Sequence, residues 1–206
     1  MAFRIEAAAL AFLMVLPAVA QEYRVPGGVL RVDANSIAFE AMAKHKDRSR
    51  QWKFDDIRQL TLGSTVLRIQ TYERRNREFV FDLVPRELAE KWYPVFAARL
   101  DQRFVAALAD ERVPPQWQIP VKLRTKVQGA VLVSAGHVVF RADPPVESRT
   151  WRIPDIQSVT SSGPFDLTVT TREKEFHFEL KQALPEARYQ ELWREVNRAQ
   201  GLQILK

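Results

Sequence analysis

Chemistry at a protein surface needs titratable or nucleophilic side chains at workable spacing, and this chain has few such sets. Its imidazoles are His45, His137 and His177. No two of them stand four apart, the spacing that puts two ring nitrogens on one helix face for a metal ion. Cysteine is absent, so thiolate ligands, thiol nucleophiles and disulfides are excluded together. The adjacent pair Asp55–Asp56 has the residue types of a general acid and base. A second copy of the surrounding pattern carries Pro154 before Asp155, leaving one carboxylate, so a structural corner accounts for the pair. No Gly-x-Ser-x-Gly elbow, phosphate-binding loop or dinucleotide fingerprint occurs. These features predict no catalytic residues, no metal and no cofactor.

Charge offers more. One basic cluster holds Lys44, His45, Lys46, Arg48 and Arg50, and another holds Arg74, Arg75 and Arg77. The corresponding stretches further on, Asp143 to Glu147 and Arg172 to Lys174, are not strongly basic. An anion would therefore meet the first half of the chain. Whether the two clusters share an end depends on the run from Trp52 to Leu62. One bent strand puts both loops at one end, and a break into two antiparallel strands at Asp55–Asp56 separates them. The chain as a whole carries a net charge of +6, which by itself only predicts a solvated surface. Nucleic acid is not expected as a partner, because the aromatic residues follow core spacing and form no stacking platform.

The elements that must position these residues come in duplicate. Arg50-Gln51-Trp52-Lys53-Phe54-Asp55-Asp56-Ile57 returns 99 residues later as Arg149-Thr150-Trp151-Arg152-Ile153-Pro154-Asp155-Ile156. Gly28 to Val32 answers Gly129 to Val133, Leu67 to Ile69 answers Leu167 to Val169, and Phe79 to Phe81 answers Phe176 to Phe178. Internal repeats of this kind mean one supersecondary plan used twice. Within each copy apolar residues alternate, as at Leu67, Ile69 and Thr71, which predicts half-buried antiparallel strands. The inward set includes Trp52, Phe54, Trp151 and Ile153, with Asp56–Ile57 and Asp155–Ile156 marking a bend. After Leu83 the period becomes helical: Leu88, Trp92, Phe96, Leu100, Phe104 and Leu108 are spaced by four. Pro94 should kink or split that helix. Tyr189, Leu192, Trp193 and Val196 form a shorter stripe after Pro185.

The first 20 residues read differently. Arg4, an apolar run from Ala7 to Leu16 and the small-residue site Ala18-Val19-Ala20 are laid out as a signal peptide. The run is about half of the ~20 residues a membrane span needs. The predicted plan is a signal peptide (1–20), a first domain (21–109), a proline-rich linker (110–122) and a second domain (123–206). The expected location is periplasmic or secreted. Trp117, alone in the linker, is expected to dock at the junction between the domains.

The meander, the Trp-x-φ-x-Asp-Ile bend (φ apolar), the Leu-x-Ile and Phe-x-Phe strands and the closing helix together resemble pleckstrin-homology-like domains, nearest the GRAM-type and bacterial members. The resemblance implies a mainly β, α+β fold: two tandem bent sheets or barrels, each closed by a C-terminal helix. It also implies binding, not catalysis. Lipid-binding members carry basic residues in the first hairpin loop. Asp33 to Ser36 and Ser134 to His137, read as those loops, hold neither Lys nor Arg. The expected partner is a protein or peptide, with an anionic membrane surface contacting the basic loops as the alternative. An unrecognised enzyme is the third reading.

Overall fold

The computed structural model describes residues 21–42, 48–75, 78–82, 86–109, 114–123 and 125–201. The signal-like segment and the first part of the predicted linker lie outside the described residues. Among the described residues the chain is mainly β, with two α-helices. The first half contains β1 (Gln21–Val25), β2 (Gly28–Val32), β3 (Ser36–Ala41), β4 (Arg50–Lys53), β5 (Ile57–Gly63), β6 (Val66–Thr71), β7 (Glu78–Asp82) and α1 (Arg86–Leu100). A short strand, β8 (Phe104–Ala107), follows. The second half contains β9 (Trp117–Leu123), β10 (Gln128–Ser134), β11 (His137–Asp143), β12 (Arg149–Arg152), β13 (Ile156–Thr160), β14 (Asp166–Thr171), β15 (Glu175–Leu180) and α2 (Glu186–Ala199).

The strands form a four-stranded sheet, β1-β2-β3-β4, and an eleven-stranded sheet, β13-β14-β15-β9-β10-β11-β12-β8-β5-β6-β7. Among the described residues neither closes into a barrel. In each half a 3-10 turn, Phe54–Asp56 or Ile153–Asp155, carries the chain round a corner between strands that do not pair with one another. The corner works because its apolar residues go inward on both sides. Trp52, Phe54 and Ile57 are buried, as are Trp151, Ile153 and Ile156.

Burial separates into two clusters, one formed by residues between Val25 and Leu108 and the other by residues between Trp117 and Val196. The aromatic packing repeats closely. Trp52 lies 4.7 Å from Phe79 and Phe39 lies 5.1 Å from Phe81; Trp151 and Phe140 stand at the same distances from Phe176 and Phe178. Helix α1 puts Trp92, Phe96 and Leu100 into the first cluster, and α2 puts Leu192 and Val196 into the second. Burying each such side chain is worth about 1.5–3 kcal/mol.

Two glycines allow a close approach that no other residue would. A Cβ on Gly28 would stand 2.1 Å from the Glu40 carbonyl oxygen, and one on Gly129 would stand 2.2 Å from that of Arg141. In each case a Phe ring, Phe39 or Phe140, covers the space where the missing side chain would lie.

Three expectations need correction. The helical stripe does not extend to Leu108. Helix α1 ends at Leu100, Asp101 takes a left-handed φ of 46°, and Phe104–Ala107 becomes β8. That strand is buried along its whole length, because it runs parallel to β5 on one side and meets β12 on the other. Continuous burial removes the alternation that marks a half-exposed strand. Pro94 does not split α1, which runs unbroken through it with the proline on the exposed side. Finally, the strand β9 takes in residues 117–122 of the predicted linker. Ile119, Val121 and Leu123 point inward, and Pro120 fits because the β15 ladder begins only at Val121.

Candidate functional site

The corner of the second half holds the most heavily bonded charged group. Arg152 donates to Asp155 through Nε at 2.6 Å and through Nη2 at 2.8 Å. It also donates to the Asp101 carbonyl at 2.7 Å and to the Ala97 carbonyl. Both carbonyls lie at the end of α1, where backbone acceptors lack helical partners and the helix dipole favours a cation. Burial pushes the Asp155 carboxyl above the usual carboxylate range, more than Arg152 pulls it down. Burial also works against the Arg152 charge, but the bonds to Asp155 outweigh it and hold the guanidinium protonated. Beside this clamp, Thr150 Oγ1 donates to the Leu108 carbonyl at 2.8 Å. Together with β8, these bonds tie the second half to the end of the first. They position the halves. The first half has Lys53 at the Arg152 position, exposed, and Asp55 and Asp56 are exposed beside it. The paired carboxylates therefore form no enclosed acid–base site.

Of the predicted basic residues, Lys44, His45, Lys46 and Arg77 lie outside the described residues. Arg48, Arg50, Arg74 and Arg75 are exposed. Arg50 opens β4 and donates to the Ser49 carbonyl at 2.8 Å. Arg74 and Arg75 lie in the turn after β6. The second half shows how these places relate. Arg149, which opens β12, donates to Glu173 in the β14–β15 turn at 3.0 and 2.9 Å. Loops that are far apart in sequence thus meet at one end of the second half. Strand parity could not settle this, because the corner passes the chain out of pairing instead of reversing it within a sheet.

Trp117 packs within the second half. It pairs with Val133 in β9–β10, belongs to the second core cluster and carries the Arg188 guanidinium 5.9 Å from its ring centre. The turn read as the first hairpin loop is also reassigned. Asp33 to Ser36 joins β2 to β3, and the first hairpin turns at Pro26–Gly27. Asp33 closes its turn by accepting from the Asn35 and Ser36 amides, both at 2.7 Å. Despite the opposing effect of burial, those bonds hold its carboxyl below the usual range.

A cleft of about 640 Å³ adjoins that turn, between Asn35, Gln51, Lys53 and Arg99. The matching turn of the second half is bonded to its helix: the Gly136 amide donates to Glu195 at 3.2 Å. Among the imidazoles, His177 bonds Thr168 at 3.0 Å, and His137 faces the Ala135 carbonyl. Among the described residues no three His, Asp or Glu side chains converge as metal ligands. No described helix is long and apolar enough to cross a membrane.

No protein-family model matches the chain, and no curated protein matches it in sequence. Among solved structures, the chain is similar to one described as the structure of the Spt16D Pob3N heterodimer. The identity is 12%, over 80% of this chain and 94% of that one, with a TM-score of 0.33. A score of that size does not establish a common fold.

Proposed function

We propose that the chain is a non-enzymatic binding or scaffold protein, exported to the cell envelope, that engages an extended protein or peptide segment. In this reading it comprises two tandem pleckstrin-homology-like units, 21–109 and 123–206, each closed by its C-terminal helix. The recurrence of four strands, a 3-10 corner, three strands and a helix supports that plan. One observation carries the functional reading: among the described residues the two sheets end at the strands β1, β4, β7 and β13. An open edge offers a row of backbone donors and acceptors that an added strand can satisfy.

The test is a cross-linking pull-down of the protein from the envelope fraction of its host. A protein partner that cross-links through an extended segment supports the reading; recovery of nothing removes its main support. Attachment to anionic membrane is the second reading, favoured by the exposure of Arg48, Arg50, Arg74 and Arg75. Binding to anionic vesicles that weakens with salt and disappears on Arg48→Glu with Arg74→Glu and Arg75→Glu would replace the first reading with this one.

A further inference from the structure

The two halves differ at one seam. In the second half β15 pairs antiparallel with β9: Phe178 faces Leu123, Glu179 faces Lys122 and Leu180 faces Val121. Lys122 Nζ lies 3.4 Å from the Glu179 carboxylate. In the first half no pairing joins the corresponding strands, β1 and β7, among the described residues; Leu83, which takes the place of Leu180, lies outside them. The cause is local. Strand β1 ends at Val25, and Pro26–Gly27, with Gly27 at φ 89°, turns the chain back at once. Among the described residues of the first half, none pairs with β7 as Lys122 and Leu123 pair with β15. Strand β7 therefore ends the eleven-stranded sheet.

Side-chain burial records the same difference independently. Phe140, Phe176 and Phe178 are 0%, 3% and 2% exposed. Their counterparts Phe39, Phe79 and Phe81 keep the same mutual packing but are only half-buried. On the other face of β7, Val80 is 45% exposed, flanked by Asp82 and by Glu78, whose carboxylate already meets Arg68 at 3.2 Å and accepts from Gln70 at 3.1 Å. Asp82 occupies the place of Glu179, and no described residue supplies the cation that Lys122 supplies there.

We propose that β7, from Glu78 to Asp82, is the docking edge for an extended, basic segment of a partner protein. The segment adds antiparallel to β7, and its sequence alternates apolar and lysine or arginine residues as Val121-Lys122-Leu123 does. Its apolar side chains cover Phe79 and Phe81, and a cation of the segment faces Asp82, as Lys122 faces Glu179. A second copy of this chain is a poor occupant. Antiparallel β7–β7 pairing centred on Val80 would set Glu78 against Asp82 twice, and like charges directly opposite are destabilising. This deepens the proposed function and rests on it.

The probe is a capped peptide of sequence Val-Lys-Leu-Val-Leu-Lys, with Val-Glu-Leu-Val-Leu-Glu as its control. The readout is amide hydrogen exchange of residues 78–82, with the affinity taken from the titration. The basic peptide is expected to slow exchange of the β7 amides at least tenfold at saturation, and the acidic one to leave it unchanged. Asp82→Lys should weaken the basic peptide about fivefold and improve the acidic one. Asp82→Asn, which removes charge without reversing it, should fall between. Three results overturn the proposal: no slowing by either peptide, equal slowing by both, or β7 amides already as slow as those of β15 without peptide. If an envelope partner is still captured by Asp82→Lys while the peptides fail, β7 is the wrong surface and the binding reading survives. If no partner is captured either, both fall.

Discussion

Replacing Arg152 with alanine tests how the two halves are held. The substitution removes both bonds to Asp155 and the bonds to the Ala97 and Asp101 carbonyls at the end of α1. It leaves the Asp155 carboxylate, whose side chain is 12% exposed, without its cation. Removing one member of a fully buried pair costs about 3–5 kcal/mol. Arg152 itself is 21% exposed, and water reaches part of the site, so the cost here is about 2–3 kcal/mol. For a chain of this size that lowers the melting temperature by roughly 4–12 °C. Asp155, already raised by burial, loses the group that pulled it down and rises further. A carboxyl whose folded pKa lies above its unfolded one favours the folded state below the unfolded value, and that contribution is lost as pH rises through the folded pKa. The Arg152→Ala penalty should therefore be largest at neutral pH and shrink toward pH 4. Urea unfolding of the wild type, Arg152→Ala, Asp155→Asn and the double variant, at pH 7 and near pH 4, measures both the penalty and its pH dependence. A loss under about 0.5 kcal/mol, or a penalty that grows on acidification, would refute the reasoning.

Two matched pairs test the repeat at atomic level. Gly28→Ala and Gly129→Ala should each cost about 2–3 kcal/mol, because the clash is with a backbone carbonyl that cannot step aside; paired thermal melts check this. Thr171 Oγ1 donates to the Lys174 carbonyl and accepts from the Glu173 and Lys174 amides, whereas the buried Thr71 hydroxyl has no partner among the described residues. Thr171→Val should then cost about 1–3 kcal/mol and Thr71→Val close to nothing, read from the same denaturation experiment.

What could be read from sequence follows from how physics repeats itself. The corner was legible because two copies of one bend need the same buried Trp, the same apolar follower and the same returning Ile. The Phe-x-Phe strands were legible for the same reason. Strand β8 was not: Phe104-Val105-Ala106-Ala107-Leu108 is apolar throughout, and Phe104 and Leu108 also continue the helical spacing. Only the left-handed Asp101 and the partners β5 and β12 decide the matter, and neither is written locally. Strand β9 hid behind Pro120 and the prolines just before it, since a residue harmless outside the β15 ladder reads as a linker signal. The Arg152 clamp was equally invisible. Two of its acceptors are backbone carbonyls about 50 positions away, and the copy that would have revealed it carries Lys53 instead. The open seam at β7 is legible only after the two halves are set side by side, because its cause is the length of the hairpin at Pro26–Gly27.

Placing a photoreactive p-benzoylphenylalanine at position 80 and irradiating the protein in the envelope of its host asks the functional question directly. The account predicts a covalent adduct with a protein, mapped by mass spectrometry to a stretch of alternating apolar and basic residues, and lost when Asp82→Lys is added. Adducts with lipid alone, or none beyond those from an exposed control position on α2, would contradict it.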